Sequence, residues 1–402
     1  MQLPKVSIII VNYNGKHHLE SCLESLLKIN YNNIEIIVVD NNSTDDSVSF
    51  ISLNFPDLIL IKLNENKGFA EPNNIASKMA TGDLLLFLNN DTIVTPSFVS
   101  ELVKPIQQNS NVGICQSLLL KPDESIDSSG DFIDTLGIVY NSKTCISEIR
   151  EISSARGASM IIKKNIFDQL DGFDEKFYFS FEDVDLSWRC WIAGYKVLVI
   201  PKSIVYHLGG QTYQKVKNSM AFHGFKNQLS MKITNFESSL AIKNMMKFFI
   251  IYGIRELKIW FDYKIFGKTK LSSTKYENNV APNPSFKIIF SSVWWIICNQ
   301  KYLNQKQKKI NSSRKISSKQ LEKMNIWFDR NVSFTLVEKR KLYGFDNKQQ
   351  HQFVKFEFDA MPSFYKLKNL WYKEGKKRDG KKTKNQIKFE YNDTEVEIYE
   401  AE

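Results

Sequence analysis

Gly82-Asp83-Leu84-Leu85-Leu86-Phe87-Leu88-Asn89-Asn90-Asp91-Thr92 decides the fold of this chain. Five consecutive apolar residues without proline predict a strand buried on both faces, as in a parallel sheet covered by helices. The strand runs directly into Asn89, Asn90 and Asp91, three side chains that can all offer oxygen. In an open α/β sheet, ligands sit outside the carboxyl ends of the strands. Asn89 to Asp91 therefore lie where a ligand binds, and a carboxylate there can hold a hard divalent cation against phosphate oxygens.

Upstream, Val6-Ser7-Ile8-Ile9-Ile10-Val11 predicts another buried parallel strand, broken by Asn12-Tyr13-Asn14-Gly15. From Lys16 to Ile29, Leu19, Cys22, Leu23, Leu26 and Leu27 recur along one helical face. Ile34 to Val39 is a second strand, ending in Asp40-Asn41-Asn42-Ser43-Thr44-Asp45. Leu58 to Leu63 is a third, ending in Asn64-Glu65-Asn66-Lys67-Gly68-Phe69. Alternation of strand and helix gives a predominantly parallel sheet flanked by helices, and repeated polar strand ends give one shared site. Asp40 can accept the imide N–H of a pyrimidine base and Tyr13 can stack on it or line its slot. Gly68 lets backbone approach a ligand, and Lys67 can neutralise phosphate. An ordinary Asx-rich turn capping a helix is the competing explanation of Asp40 to Asp45. No G-x-G-x-x-G and no Walker A lysine motif is present, which argues against a dinucleotide cofactor or ATP.

Further along, a helix is expected from Ser97 to Gln107, strands at Val112–Leu120 and Arg156–Ile162, and a short helix from Lys164 to Leu170 closed by Asp171-Gly172. Residues 121–154 carry little signal. A second polar concentration follows in Phe173-Asp174-Glu175-Lys176-Phe177-Tyr178-Phe179-Ser180-Phe181-Glu182-Asp183-Val184-Asp185. Carboxylates favour a first helical turn, which is the plain explanation. However, Trp188, Cys190, Trp191 and Tyr195 make the helix too apolar for a solvated surface, so the acids rim something buried. Val197 to Ile200 is a last strand, followed by Tyr206-His207-Leu208-Gly209-Gly210.

In this order and spacing, Val6 to Gly15, Asp40-Asn41-Asn42-Ser43, Asn66-Lys67-Gly68-Phe69-Ala70 with Asn74, Leu88-Asn89-Asn90-Asp91, Gly172-Phe173-Asp174-Glu175, Glu182-Asp183-Val184-Asp185 and His207 resemble family 2 glycosyltransferases. The pattern is most similar to the rhamnosyl- and galactofuranosyl-type enzymes and covers roughly residues 5–260. The resemblance implies a GT-A (Rossmann-like) α/β fold, a nucleotide-diphospho-sugar donor, Mg²⁺ or Mn²⁺, and inversion at the anomeric carbon. It places donor contacts at Val11, Tyr13, Asp40, Asn42, Lys67, Gly68, Asn74 and Asn90. Metal ligands fall at Asp91, His207 and Asn89, and the catalytic pair at Asp183, the base, and Glu182. Asn89 stands where many relatives carry the first aspartate of D-x-D, so the site has one formal charge fewer.

Charge is split along the 402 residues: 17 Lys+Arg face 26 Asp+Glu in residues 1–210, leaving 37 against 18 thereafter. The formal +10 thus belongs wholly to the C-terminal part, which points to an anionic membrane surface more than to nucleic acid. Aromatic-then-basic stretches mark Met220 to Phe266, a helical expectation, and Trp294-Trp295-Ile296-Ile297 with the lysines after it. Beyond Asp329, alternation at Val332/Phe334/Leu336, Val354/Phe356/Phe358 and Ile387/Phe389/Tyr391 predicts a small antiparallel β region around the Lys-rich tract Lys373 to Lys384. Expected domains are a catalytic 1–215, a helical basic extension 216–328 and a β-rich accessory region 329–402. No apolar run reaches the roughly 20 residues of a membrane span, and no signal peptide is expected. Five scattered cysteines fit a reducing compartment. The expected location is cytoplasmic, peripheral on the inner membrane face, with a glycan or lipid-linked saccharide as acceptor. Competing classes are a carbohydrate- or nucleic-acid-binding protein on the same scaffold and a nucleotidyltransferase. Asn12 to Gly15 lacks the basic activating loop that a nucleotidyltransferase needs, and binding alone requires neither base nor metal.

Overall fold

The computed structural model describes residues 3–209, 217–250, 286–328, 342–346, 353–356, 386–391 and 394–400. Strands β1 (Val6–Asn12), β2 (Ile34–Asp40), β3 (Ile59–Lys62) and β4 (Leu84–Asn89) alternate with helices α1 (Lys16–Leu26), α2 (Ser47–Asn54) and α3 (Ala70–Met79). There follow β5 (Thr92–Val94), α4 (Phe98–Gln108), β6 (Val112–Leu120), β7 (Ile126–Ser128), β8 (Asp131–Asp134), β9 (Val139–Asn141), β10 (Arg150–Glu151), β11 (Ser159–Lys163), α5 (Lys164–Gln169), α6 (Glu182–Ile192) and β12 (Lys196–His207). The main sheet runs β10-β12-β6-β11-β4-β1-β2-β3, with β5 on β12 and β7 on β6. β1, β2, β3 and β4 are mutually parallel, so their carboxyl ends open on one edge.

The apolar runs Ile8–Val11, Ile36–Val39 and Leu84–Leu88 of β1, β2 and β4 are continuous because both sheet faces are covered. Ile9, Ile37, Leu85 and Phe87 face a cluster with α3, α5 and α6, while Ile8, Ile10, Val38, Leu86 and Leu88 face α1, α2 and α4. Successive strand residues point to opposite faces, so one strand feeds both cores. β11 runs antiparallel between β4 and β6.

Two differences from the sequence expectation shape the site. The last strand does not stop at Ile200; β12 absorbs Pro201 in a register shift between Ile200 and Ile204 and continues to His207. Proline is tolerated in a strand at such an irregularity. Residues 121–154, which carried little signal, contain β7 to β10, strands of two to four residues that are too short for periodicity to reveal.

The segment after residue 216 packs on α6 and extends the small sheet of β8 and β9. Helices Lys217–Asn235, 238–250, Phe286–Cys298, Gln300–Ser312 and Ser318–Lys323 follow. Strand Trp327–Phe328 pairs in parallel with β8, and the Trp327 ring packs edge-on against Trp188 of α6. Of the helical expectation from Met220 to Phe266, residues 251–266 lie outside the described residues. Further on, Leu342–Asp346, Phe353–Phe356, Gln386–Tyr391 and Thr394–Glu400 form an antiparallel sheet of four strands. The Val332 to Leu336 run, Phe358 and the tract Lys373 to Lys384 lie outside the described residues.

Candidate active site

The polar ends of β1, β2 and β4 interlock. Asn90 Nδ2 donates to Asn12 Oδ1 at 2.8 Å, and Asn12 Nδ2 donates to Ser43 Oγ at 3.2 Å. Gly15 is fixed by this contact, since a Cβ there would lie 2.2 Å from Asn90 Nδ2. Ser43 N–H donates to Asp40 Oδ2 at 3.1 Å, but the other oxygen, Oδ1, is buried and has no partner among the described residues. A buried carboxylate oxygen left unpaired is costly, and a ligand N–H would satisfy it. Beside it, Tyr13 is 47% exposed and Asn42 is exposed with φ +65°, while Val11 is half-buried at the strand end.

Three expected donor contacts are occupied otherwise. Lys67 is already neutralised: its ammonium lies 2.6 Å from Glu71 and 3.6 Å from Glu65, which hold its pKa up. Gly68, at φ +78°, admits protein rather than ligand, because a Cβ would stand 2.3 Å from the Tyr178 carbonyl oxygen. Asn74 is buried and acts as a splint. Its Nδ2 donates to Phe173 O at 2.8 Å and its Oδ1 accepts from Phe173 N–H at 2.9 Å.

At the end of β4, Asp91 Oδ1 lies 3.4 Å from His207 Nε2, and the Asn89 amide nitrogen 3.5 Å from the same ring atom. The antiparallel pairing of β5 with β12 sets this up by placing His207 opposite Thr92. Asp127 of β7, which no motif marked, holds His207 Nδ1 at 2.9 Å. Burial alone would lower the histidine, yet hydrogen bonds to Asp127 and Asp91 outweigh it and hold His207 up at about 9. Burial pushes Asp91 and Asp127 up, but His207 holds both below the usual carboxylate range.

Asp91, His207 and Asn89 would suit a divalent cation beside phosphate once His207 gives up the proton that Asp91 and Asp127 favour, with Asp127 orienting the imidazole. Among the described residues no group of three or more His, Cys, Asp or Glu side chains is arranged to hold a metal by itself.

The third component is the start of α6. Asp183 Oδ2 accepts from Gly157 N–H at 2.9 Å and Oδ1 from Val184 N–H at 2.8 Å. The next residue, Ala158, accepts from Asn89 N–H at 3.1 Å, so two consecutive residues tie Asp183 to the end of β4. Burial raises both acids; Asp183 is restrained by the two N–H groups and Arg156, whereas Glu182, with buried Oε2 unpartnered and two acids nearby, rises far more. These unlike settings favour a proton on Glu182 before one on Asp183. Asp185 points elsewhere, fully buried against Arg189 at 2.8 Å and Lys306 at 3.1 Å, with Asn235 Nδ2 donating to it at 2.9 Å. Arg156, whose Nε sits 3.1 Å from Asp131, and the docked Tyr178 were not among the expected site residues.

Residues 7–170 match the sequence model of Glycosyl transferase family 2. Over 220 residues the chain is 32% identical to the O-antigen biosynthesis protein RfbC of Myxococcus xanthus, covering 51% of this chain and 17% of that protein. It is 23% identical over 237 residues to the poly-beta-1,6-N-acetyl-D-glucosamine synthase of Staphylococcus aureus (strain COL), covering 55% of each. The match spans well under half of the O-antigen protein. Among solved structures, GalNAc-T7 with UDP, GalNAc and Mn²⁺ is similar at TM-score 0.49 and 16% identity, covering 64% of this chain and 51% of that one. The mannosyltransferase PcManGT of Pyrobaculum calidifontis with GDP-Man and Mn²⁺ is similar at TM-score 0.47 and 15% identity, covering 78% and 86%.

Proposed function

We propose, from the match of residues 7–170 to glycosyl transferase family 2, that the chain is an inverting glycosyltransferase using a nucleotide-diphospho-sugar donor. The observation that carries the proposal is the Gly157-Ala158 link, which ties Asp183 to the strand end that presents Asp91 beside His207. In this mechanism Asp40 Oδ1 accepts an N–H of the donor base, and Tyr13 covers it. Asp91, with His207 and Asn89, faces the diphosphate. A divalent cation held there supplies positive charge against the departing diphosphate. An acceptor hydroxyl attacks the anomeric carbon from the opposite side. Its oxygen forms the new bond as the bond to the diphosphate breaks, and its proton passes to Asp183. Glu182, which burial and the neighbouring acids push towards its protonated form, can donate a hydrogen bond to the acceptor sugar.

We take a glycan or a lipid-linked saccharide as the acceptor, the former in keeping with the names of the relatives, and residues 1–215 contain all the groups invoked. A panel of nucleotide sugars, scored for protection against thermal unfolding and for donor hydrolysis with Mn²⁺, tests the proposal. One donor should protect wild type and Asp183→Asn alike, with turnover lost in the mutant. Absence of protection by every nucleotide sugar would sink it.

A further inference from the structure

Large apolar side chains that face solvent are concentrated on two helices outside the site. On helix 238–250 these are Ile242 at 66%, Met246 at 63% and Ile250 at 58% exposure; on Phe286–Cys298 they are Phe290 at 71%, Trp294 at 59% and Ile297 at 56%. Spacings of four and of four then three put each trio on one helical stripe. The opposite sides of both helices are already used. Phe248 packs on Phe225 with ring centroids 5.7 Å apart, and Trp295 lies under the Lys226 ammonium at 4.6 Å. Both inner contacts fall on the same helix, Lys217–Asn235, so one support carries both outward stripes.

Charge accompanies the stripes with one sign only. Exposed Lys243 and Lys247 lie beside Ile242 and Met246, and exposed Lys287 lies one turn before Phe290. Neither helix contains an Asp or Glu, and residues 211–402 hold 37 Lys+Arg against 18 Asp+Glu. Nucleic acid would explain the lysines but leaves the bulky aliphatic and indole groups in water. A second protein copy would bury the stripes but bring lysine against lysine. An anionic lipid surface satisfies both, since its acyl boundary takes the apolar residues and its headgroups the lysines. Among the described residues no helix is long and apolar enough to cross a membrane.

We propose that helices 238–250 and Phe286–Cys298 form an in-plane docking face for an anionic membrane, entering by Ile242, Met246, Ile250, Phe290, Trp294 and Ile297. The proposal extends the glycosyltransferase reading by placing the enzyme beside a membrane-borne acceptor, but its test does not involve turnover. Full-length protein is co-sedimented with phosphatidylglycerol-containing vesicles and with pure phosphatidylcholine vesicles. A surface variant combining Met246→Ser, Phe290→Ser and Trp294→Ser, and a charge variant Lys243→Ala/Lys247→Ala, are run beside it. Wild type should bind the anionic vesicles and release as salt rises. The serine variant should bind at least about a hundredfold more weakly and the lysine variant about tenfold more weakly, each with unchanged thermal unfolding. Equal binding of wild type and serine variant, or no binding to anionic vesicles, overturns the proposal. So does a wild-type dimer that the serines dissociate, because the face would then belong to a second copy. If donor protection is lost but vesicle binding persists, the catalytic reading fails and the docking face stands.

Discussion

Replacing Asp183 and Asp185 separately by asparagine should damage two different properties, although the residues are two positions apart. A step of two residues turns a helical side chain by roughly 200°. Asp183 accordingly reaches Gly157 outside the helix, while Asp185 is buried against Arg189, Lys306 and Asn235. Asp183→Asn keeps an acceptor for one of the two N–H groups but presents an amide N–H to the other, a cost of about 1–3 kcal/mol. Removal of the charge beside buried Glu182 offsets part of that cost. The melting temperature should therefore move by only a few degrees, at about 2–4 °C per kcal/mol for a domain of this size. The proton acceptor is lost outright, so kcat should fall by about 10²–10⁴ with little change in donor affinity. In Asp185→Asn, buried Arg189 loses its carboxylate, while half-buried Lys306 keeps Asp174; the loss at Arg189 costs about 3–5 kcal/mol and on the order of 10 °C. Its kcat, measured well below the melting point, should fall far less. Thermal unfolding, single-turnover kinetics and donor calorimetry on both variants decide the matter. Near-normal turnover in Asp183→Asn, together with lost turnover but unchanged stability in Asp185→Asn, would overturn the assignment of the base.

Asp91→Ala should abolish metal-dependent binding of a nucleoside diphosphate, seen by calorimetry with and without Mn²⁺; retained metal dependence would put the cation elsewhere. Gly68→Ala, forced to φ +78° with its methyl 2.3 Å from Tyr178 O, should lower stability by about 1–3 kcal/mol in urea unfolding, whereas Lys67→Ala should leave donor affinity within about twofold. Burial raises Asp185, but Arg189 and Lys306 outweigh it and hold its carboxyl below the ordinary range. Its stabilising contribution is thus present above the unfolded value of about 3.9 and is lost as pH falls through the lower folded value. Acid unfolding curves of wild type and Asp185→Asn should converge below that window, and parallel curves would refute the linkage.

The sequence by itself determined the sheet and its open edge. Runs such as Ile8 to Val11 and Leu84 to Leu88 are apolar without interruption because they are covered on both faces, and that signal is local. Polar residues directly after them, Asp40 and Asn89 to Asp91, had to emerge at the carboxyl ends. The separation of Asp183 from Asp185 was also legible, since helical pitch fixes it. Tertiary structure alone decided which polar residues are free. Lys67 and Asn74 look available as letters but are consumed by Glu71 and by the Phe173 backbone, and Gly68 makes room for Tyr178. Asp127 lay in a stretch with no period or motif to expose it, and Arg156 was read as the start of a strand that begins only at Ser159; the roles of both come from side chains far away in sequence. Partner choice among long-range polar groups depends on the packed geometry of the whole sheet, which no window of neighbouring residues contains.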